Sequence, residues 1–180
     1  PIGNFTYVHQ HHSDLMKKVN YEDIGKGKNA FEDGLECDAL YTFYKGTPLC
    51  IFHADCVPIF FIDESRDLVG IIHAGFKGTL IHVAYKAIKQ VIVDEGVNPS
   101  DLKFFIGPYR ALKSFKIDEA SRNQIIEAGY KYAIKDEYFD NGLANIIDLK
   151  RLGIKEEQIK CADLDTFTDD RFYSAYQKTP

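Results

Sequence analysis

Histidine and cysteine side chains occur in three separate segments of the sequence, and together they could bind a metal ion. The segments are residues 9–12 (His-Gln-His-His), residues 53–56 (His-Ala-Asp-Cys) and His73. Zinc takes thiolate sulfur and imidazole nitrogen in tetrahedral geometry, and a catalytic site keeps one position open. Because the segments lie far apart in the sequence, only the fold can bring them together. Packed or hydrogen-bonded side chains without a metal are the alternative interpretation.

A glycine-rich connection follows His73 and could bind an anion. Gly75, Lys77 and Gly78 lie within residues 74–79, between a predicted strand and a predicted helix. Glycine lets the backbone approach a ligand, the free N–H groups at a helix start point outward, and lysine adds positive charge. The segment therefore predicts a phosphate site. A turn that needs glycine for its dihedral angles, with Lys77 solvated, is the other interpretation.

The elements that must position these residues are predicted to form a mixed α/β fold. Short runs rich in β-branched and aromatic residues predict strands over residues 5–9, 39–43, 49–53, 57–62, 68–73, 103–106 and 160–164. Turn residues at 46–48 and 63–67 favour antiparallel pairing in the first half.

Helical periodicity begins after these strands. Apolar residues from Leu80 to Val91 follow the spacing of one helix face, and Gly96 is a stop signal. Asp118 caps a second predicted helix that reaches about Ala133. A third helix is predicted over residues 144–152.

Length and composition predict one domain over residues 1–180. The chain is 45% hydrophobic, which suffices for one core, and its net charge of −5 excludes a global basic field for nucleic acid or an anionic membrane. No run has the length of a membrane span, and no signal peptide precedes the first strand. Four cysteines without a dense spacing pattern indicate reduced thiols. We therefore expect a cytoplasmic protein.

Several of these segments resemble the YfiH family, also called the laccase-domain family. The matching pieces keep their order along nearly the whole chain. They are residues 10–12 (QHH), 38–42 (DALYT), 54–58 (ADCVP), 73–78 (HAGFKG), 107–108 (GP), 165–167 (DTF) and 172–174 (FYS).

The resemblance implies a fold related to the catalytic domain of cytotoxic necrotizing factor and a zinc ion held by His12, Cys56 and His73. The Gln-x-His motif selects His12, so His9 and His11 are expected to pack or to face solvent. The family resembles purine nucleoside phosphorylases in activity, with phosphate as co-substrate, and carries adenosine deaminase and methylthioadenosine phosphorylase activities. Its older label is laccase, but multicopper oxidation needs several copper centres, and this chain has six histidines.

Roles for the remaining candidates follow from this chemistry. In phosphorolysis the phosphate attacks C1′ as the purine leaves, so Gly75, Lys77 and Gly78 are candidates to bind it. In deamination an activated water attacks C6 while a carboxylate carries the proton, and Asp55 is the nearest candidate. An Asp55 that stabilises the fold through hydrogen bonds is the alternative.

The chain departs from the family pattern at the positions that would bind phosphate. Phe76-Lys77 replaces Trp-Arg, and Lys77 keeps the charge but loses the bidentate geometry of arginine. Tyr176 stands where the family has arginine, and Arg110 or Lys113 would have to compensate. Only nine residues precede Gln10, so part of the usual N-terminal segment and of the pocket wall is expected to be missing or rebuilt.

Two other functions are compatible with the same residues. In the first, Cys56 and His73 act without metal as nucleophile and base of a hydrolase or deamidase. In the second, the chain is a metal-binding or regulatory homologue that lost turnover through the arginine replacements. The sequence does not identify the preferred nucleoside or the oligomeric state.

Overall fold

A computed structural model describes residues 5–177, and its centre is a mixed six-stranded sheet. The strands of the whole structure are β1 (Thr6–His9), β2 (Met16–Lys18), β3 (Leu35–Glu36), β4 (Ala39–Thr42), β5 (Leu49–Cys50), β6 (Val57–Asp63), β7 (Leu68–Ala74), β8 (Lys103–Ile106), β9 (Ile134–Lys135), β10 (Tyr138–Phe139) and β11 (Ile159–Cys161).

The large sheet has the order β11-β8-β6-β7-β4-β2. Its four central strands, β8, β6, β7 and β4, are antiparallel to one another, while the outer strands β11 and β2 pair in parallel with β8 and β4. A second sheet has the order β3-β1-β5, and both of its pairings are parallel. Strands β9 and β10 form a separate antiparallel pair.

Four α-helices lie within residues 5–177. They are α1 (Phe76–Leu80), α2 (Val83–Glu95), α3 (Glu119–Glu127) and α4 (Asn141–Arg151). Helix α2 buries Val83, Ala84, Ala87, Ile88 and Val91 against the sheet, so its apolar stripe has the predicted helical spacing. Among residues 5–177, no helix is both long and apolar enough to cross a membrane.

Strand β7 lies between two apolar layers, and this explains its continuous run of apolar residues. Ile72 packs on the helical side, whereas Ile71 packs against Val8 and Leu35 of the small sheet. A strand that is buried on both faces does not alternate between polar and apolar residues. Its end, where His73 lies, is therefore shielded from water on both sides.

The predicted elements are mostly confirmed, although the strand predicted over residues 49–53 is limited to Leu49–Cys50 and the one predicted over 160–164 is Ile159–Cys161. Three further corrections concern the helices and the strand pairing. The predicted first helix is two helices, because His82 adopts a left-handed conformation (φ 64°) between Leu80 and Val83. The helix after Asp118 ends at Glu127, before the left-handed Gly129 (φ 84°), and does not reach Ala133. Pairing in the first half is not uniformly antiparallel, because β1 pairs in parallel with both β3 and β5.

Candidate metal site and adjoining pocket

The three side chains predicted to bind metal converge at one end of the central strands. Ligand atoms of His12, Cys56 and His73 all lie within 4.8 Å of one another. Cys56 Sγ is 3.8 Å from His12 Nε2, and the two imidazole rings are 4.9 Å apart between centroids. The cluster is a candidate metal site of two nitrogen donors and one sulfur donor.

Strand pairing explains this convergence. Cys56 directly precedes Val57, and Val57 pairs with Ala74, so Cys56 lies beside His73 and Gly75. His12 arrives from the loop after β1, where it adopts a left-handed conformation (φ 60°). This conformation is unfavourable for a residue with a side chain, and the surrounding hydrogen bonds must maintain it.

Asp38 holds two of these ligands in place. Its carboxylate Oδ1 lies 2.8 Å from His73 Nδ1 and accepts a hydrogen bond from the His12 backbone N–H at 2.9 Å. Oδ2 accepts hydrogen bonds from the backbone N–H and the hydroxyl of Ser13, at 2.7 and 2.6 Å. Because a carboxylate only accepts, Nδ1 of His73 carries the proton and Nε2 is left for a metal ion.

The surroundings of the cluster favour metal binding at its histidines but disfavour the thiolate of Cys56. Burial raises the pKa of the Asp38 carboxyl, but hydrogen bonds from His73 and Ser13 outweigh it and lower that pKa to about 2. Burial, followed by the nearby His73, lowers the pKa of His12 and favours the neutral imidazole that ligates metal. Burial, followed by the Asp55 carboxylate, raises the pKa of the Cys56 thiol to about 11.

Gly75 leaves room for the ligands. A Cβ at this position would lie 2.3 Å from Cδ2 of His12 and 3.1 Å from Sγ of Cys56. Any side chain here would therefore displace two ligands. Gly75 is required for close approach at the metal site, a role that the sequence did not reveal.

The other residues of the predicted phosphate site are placed differently. Gly78 lies within α1 and is buried, where a Cβ would be 3.4 Å from the Ser13 carbonyl oxygen. Lys77 is exposed, and its charge is close enough to help lower the pKa of His12. Phosphate binding by this segment stays a prediction. Within the segment, only Lys77 offers an exposed positive charge.

Asp55 is buried and fastens the C-terminal segment to the site. Its carboxylate accepts hydrogen bonds from the hydroxyls of Thr166 at 2.7 Å and Ser174 at 2.9 Å, and from the Tyr176 backbone N–H at 3.2 Å. These contacts favour the structural role that was the alternative at this position. A proton-carrying role for Asp55 stays a prediction.

A cavity of about 340 Å³ is lined by Phe76, which follows Gly75 in the sequence, and by Tyr176. Arg110 lies in its wall, where its guanidinium is 4.0 Å from the centroid of the Tyr176 ring and 4.8 Å from that of Phe115. Its Nε donates a hydrogen bond to the Ser114 carbonyl at 2.7 Å. The other lining residues are Lys116, Ile117, Asp118 and Ser121.

Two residues that line this cavity are linked to the segments that carry the candidate ligands, one by sequence and the other by a hydrogen bond. Phe76 follows Gly75, and Tyr176 is bonded to Asp55, the residue before Cys56. Lys113, the other cation expected to compensate for the missing arginine, lines a different cavity with Lys135 and Tyr138. Of these two cations, Arg110 therefore lines the cavity that contains Phe76 and Tyr176, and Lys113 does not.

Sequence reasoning missed the roles of Asp38 and Ser13, and it named Arg110 only as one of two cations that could compensate for the missing arginine. Asp38 directly precedes a strand of four buried residues, and a carboxylate at such a position needs a partner because burial of an unpaired charge is costly. That signal was available in the sequence. The ring contacts of Arg110 had no such signal, because they depend on how the last segment folds back.

Comparison with known proteins identifies the family. The family model described as multi-copper polyphenol oxidoreductase laccase matches residues 1–179. The chain belongs to this laccase family. Its membership confirms the resemblance to laccase-domain proteins and the mixed α/β fold expected from it.

Laccase-family relatives carry names that point to another chemistry. The Bacillus subtilis (strain 168) protein named purine nucleoside phosphorylase YlmD is 30% identical over 192 residues, covering 98% of this chain and 66% of that protein. The Bacillus licheniformis crystal structure of hypothetical protein YfiH superimposes with a TM-score of 0.88 at 31% identity, covering 94% and 67%. YlmD from Geobacillus stearothermophilus gives a TM-score of 0.87 at 27% identity, covering 97% and 68%. The chain thus spans about two thirds of the length of these relatives.

Proposed function

We propose that this chain carries the active site of a zinc-dependent purine nucleoside phosphorylase. The observation that carries the proposal is the convergence of His12, Cys56 and His73. A cavity with Arg110 in its wall, which Phe76 and Tyr176 also line, supports it. The names of the relatives support it. The substrates are phosphate and a purine nucleoside, such as adenosine, inosine, guanosine or methylthioadenosine.

The donor set fits zinc. Two imidazoles and one thiolate match a catalytic zinc site with one open position, and a bound zinc ion supplies a Lewis acid there. Asp38 bonds Nδ1 of His73 and so leaves Nε2 for the metal ion. The missing side chain of Gly75 leaves space for His12 and Cys56. Multicopper chemistry fits less well, because it needs several copper centres and the whole chain has six histidines.

Phosphorolysis joins a phosphate oxygen to C1′ of the ribose as the C1′–N9 bond breaks, and the purine leaves with the electron pair. Arg110 and Lys77 supply the positive charge that holds the phosphate dianion against C1′. The rings of Phe76, Phe115 and Tyr176 lie around the same cavity and offer faces for a purine to stack on. The guanidinium of Arg110 supplies the positive charge that is missing at position 176, where Tyr176 replaces the arginine of the family.

The metal-free cysteine enzyme is disfavoured by the environment of Cys56. A cysteine nucleophile needs a thiolate, and catalytic cysteines therefore have lowered pKa values. The pKa of Cys56 is instead raised, by burial first and then by the Asp55 carboxylate. A bound metal ion compensates for that cost, since it stabilises the thiolate directly.

Product analysis tests the proposal. The zinc-loaded chain is incubated with inosine or adenosine, with and without phosphate, and free base, sugar phosphate and deaminated nucleoside are separated. We expect base release and ribose 1-phosphate only with phosphate. Inosine formed from adenosine would reveal deamination. Base release without phosphate would contradict phosphorolysis, and zinc binding without turnover would favour the regulatory alternative.

Two lysine variants examine the phosphate contact. Lys77→Ala removes the exposed charge beside the cluster, and Lys113→Ala removes an exposed charge at another cavity. We expect the first to raise KM for phosphate by about tenfold, since a charged contact contributes on the order of 1.4 kcal/mol, and the second to leave KM unchanged. Equal effects of both variants would exclude a specific role for Lys77.

A further inference from the structure

A second group of metal-competent side chains lies on the other side of the His12 loop. His9 Nδ1 is 2.7 Å from Oε1 of Glu36, and His11 Nε2 is 2.7 Å from Oε2 of the same carboxylate. One ligand atom from each of the three residues lies within 4.8 Å of the other two. We call this group the outer cluster.

The fold itself builds the outer cluster. Strands β1 and β3 pair in parallel, with His9 directly opposite Glu36. His11 lies two residues beyond the end of β1, and its ring reaches the same Glu36 carboxylate. The His9 ring packs edge-on against Phe31 at 4.8 Å and lies 4.4 Å from the His11 ring. These contacts hold the imidazoles in position.

We propose that the outer cluster binds a divalent first-row transition-metal ion, in addition to the ion at His12, Cys56 and His73. Two imidazoles and one carboxylate form a recurrent donor set for zinc and its neighbours in the first transition row. The side chains of His11 and Glu36 are 54% and 57% exposed, so water fills the remaining positions and exchange with solvent is fast. The site is therefore weaker than the buried one.

Occupancy of the outer cluster stiffens the loop that carries His12. His11 and His12 are consecutive, and both backbone N–H groups donate hydrogen bonds to Asp38, at 3.2 and 2.9 Å. An ion that fixes His11 therefore restricts the neighbouring ligand of the buried site. This inference does not depend on the proposed phosphorolysis, because it concerns different ligands and is read out without substrate.

Cobalt titration distinguishes the two sites, since Co²⁺ shows a thiolate charge-transfer band only when sulfur binds it. The metal-free chain is titrated with Co²⁺ and followed by calorimetry and absorption. We expect two binding events, a tighter one with the thiolate band and a weaker one without it. Cys56→Ser should keep only the weaker event.

Variants of the outer cluster decide the assignment. His11→Ala and Glu36→Gln should weaken the second event at least about tenfold and keep the thiolate band, which also shows that the variants fold. Glu32→Gln, an exposed carboxylate beside Phe31, is the matched control and should change neither event. A single event in the wild-type chain, or a second event that His11→Ala leaves unchanged, would overturn the proposal and leave hydrogen bonds as the only role of these residues.

Discussion

At the scale of single residues, the candidate metal site depends on neighbours that do not touch the metal. Gly75 and Asp38 both act on the ligands, one by leaving space and the other by hydrogen bonding. Such neighbours affect metal affinity nearly as strongly as ligands do. Their substitution should therefore change metal binding more than it changes the fold.

Gly75→Ala should weaken zinc binding strongly. The new methyl group would lie 2.3 Å from the His12 ring, so the ligand must move. We expect affinity to fall at least about tenfold, measured by competition with a chromogenic chelator. Gly107→Ala is the control, because its methyl group would press on Pro58 at 2.9 Å and not on a ligand. Equal affinity of Gly75→Ala and wild type would contradict the assigned role.

Asp38→Asn should also weaken zinc binding, by about 10- to 100-fold. The neutral amide no longer fixes the proton on Nδ1 of His73 and no longer stabilises the charge of the site. Asp63→Asn is the matched control, since Asp63 is equally buried but bonds Ser65 in a distant turn. If both variants bind zinc like the wild type, Asp38 has no role in orienting His73.

At the scale of elements, the C-terminal segment and the central strands position the site. The last segment has no regular strand or helix after β11 within the described residues, and hydrogen bonds to Asp55 hold it against the loop that carries Cys56. Asp165 of the same segment accepts further hydrogen bonds from the Ala111 backbone N–H and the Ser114 hydroxyl, so the segment is fastened at two places.

Ser174→Ala should destabilise the protein by about 1–3 kcal/mol, because the buried carboxylate of Asp55 loses one of its donors. Urea unfolding measures the effect. Ser100→Ala, at an exposed serine, should change the free energy of unfolding by no more than about 0.5 kcal/mol. If Ser174→Ala leaves the free energy of unfolding unchanged, other contacts hold the segment.

Gly70→Ala should be among the most destabilising single changes in the sheet. A Cβ there would lie 2.0 Å from Cζ of the buried Phe61 on the neighbouring strand. Overpacking of this kind costs about 1–3 kcal/mol or more. Val69→Ala, at an exposed position of the same strand, is the control for urea unfolding. Similar urea-unfolding midpoints for the two variants would contradict the close packing of Gly70 against Phe61.

Regular elements were predictable from the sequence where one apolar pattern, either periodic or uninterrupted, extends over many residues. The stripe of α2 and the apolar runs of β6 and β7 are such cases. Strand β2 was missed because it has three residues and two of them are lysines. The break at His82 was missed because it depends on hydrogen bonds from its ring to Tyr130 and Asp148, which are distant in sequence.

The candidate site was predictable in its ligands but not in its support. Residue types and the family motifs select His12, Cys56 and His73, whose convergence the structure shows. The close approach at Gly75 is a tertiary contact that no local pattern encodes. The same holds for Arg110, whose place beside Tyr176 depends on the final segment.

At the scale of the whole molecule, the proposed metal binding would be coupled to folding. The ligands come from the β1 loop, the start of β6 and the end of β7, so the unfolded chain has no preformed site. An ion that binds only the folded state stabilises it by about 2.7 kcal/mol at a free concentration of 100 times Kd.

Removal of zinc by a chelator should therefore lower the midpoint temperature of thermal unfolding of the wild-type chain. Calorimetric melts with and without one equivalent of zinc measure the shift. Cys56→Ser should show little or no shift, because it lacks the thiolate. A wild-type melt that is insensitive to zinc would contradict coupling between this site and the fold.

X-ray absorption at the zinc edge of the chain loaded with one equivalent of zinc tests the central claim most directly. We expect one sulfur ligand at about 2.3 Å and two imidazole nitrogens at about 2.0–2.1 Å, with the sulfur absent in Cys56→Ser. A spectrum with only nitrogen and oxygen ligands in the wild-type chain would contradict zinc binding by His12, Cys56 and His73.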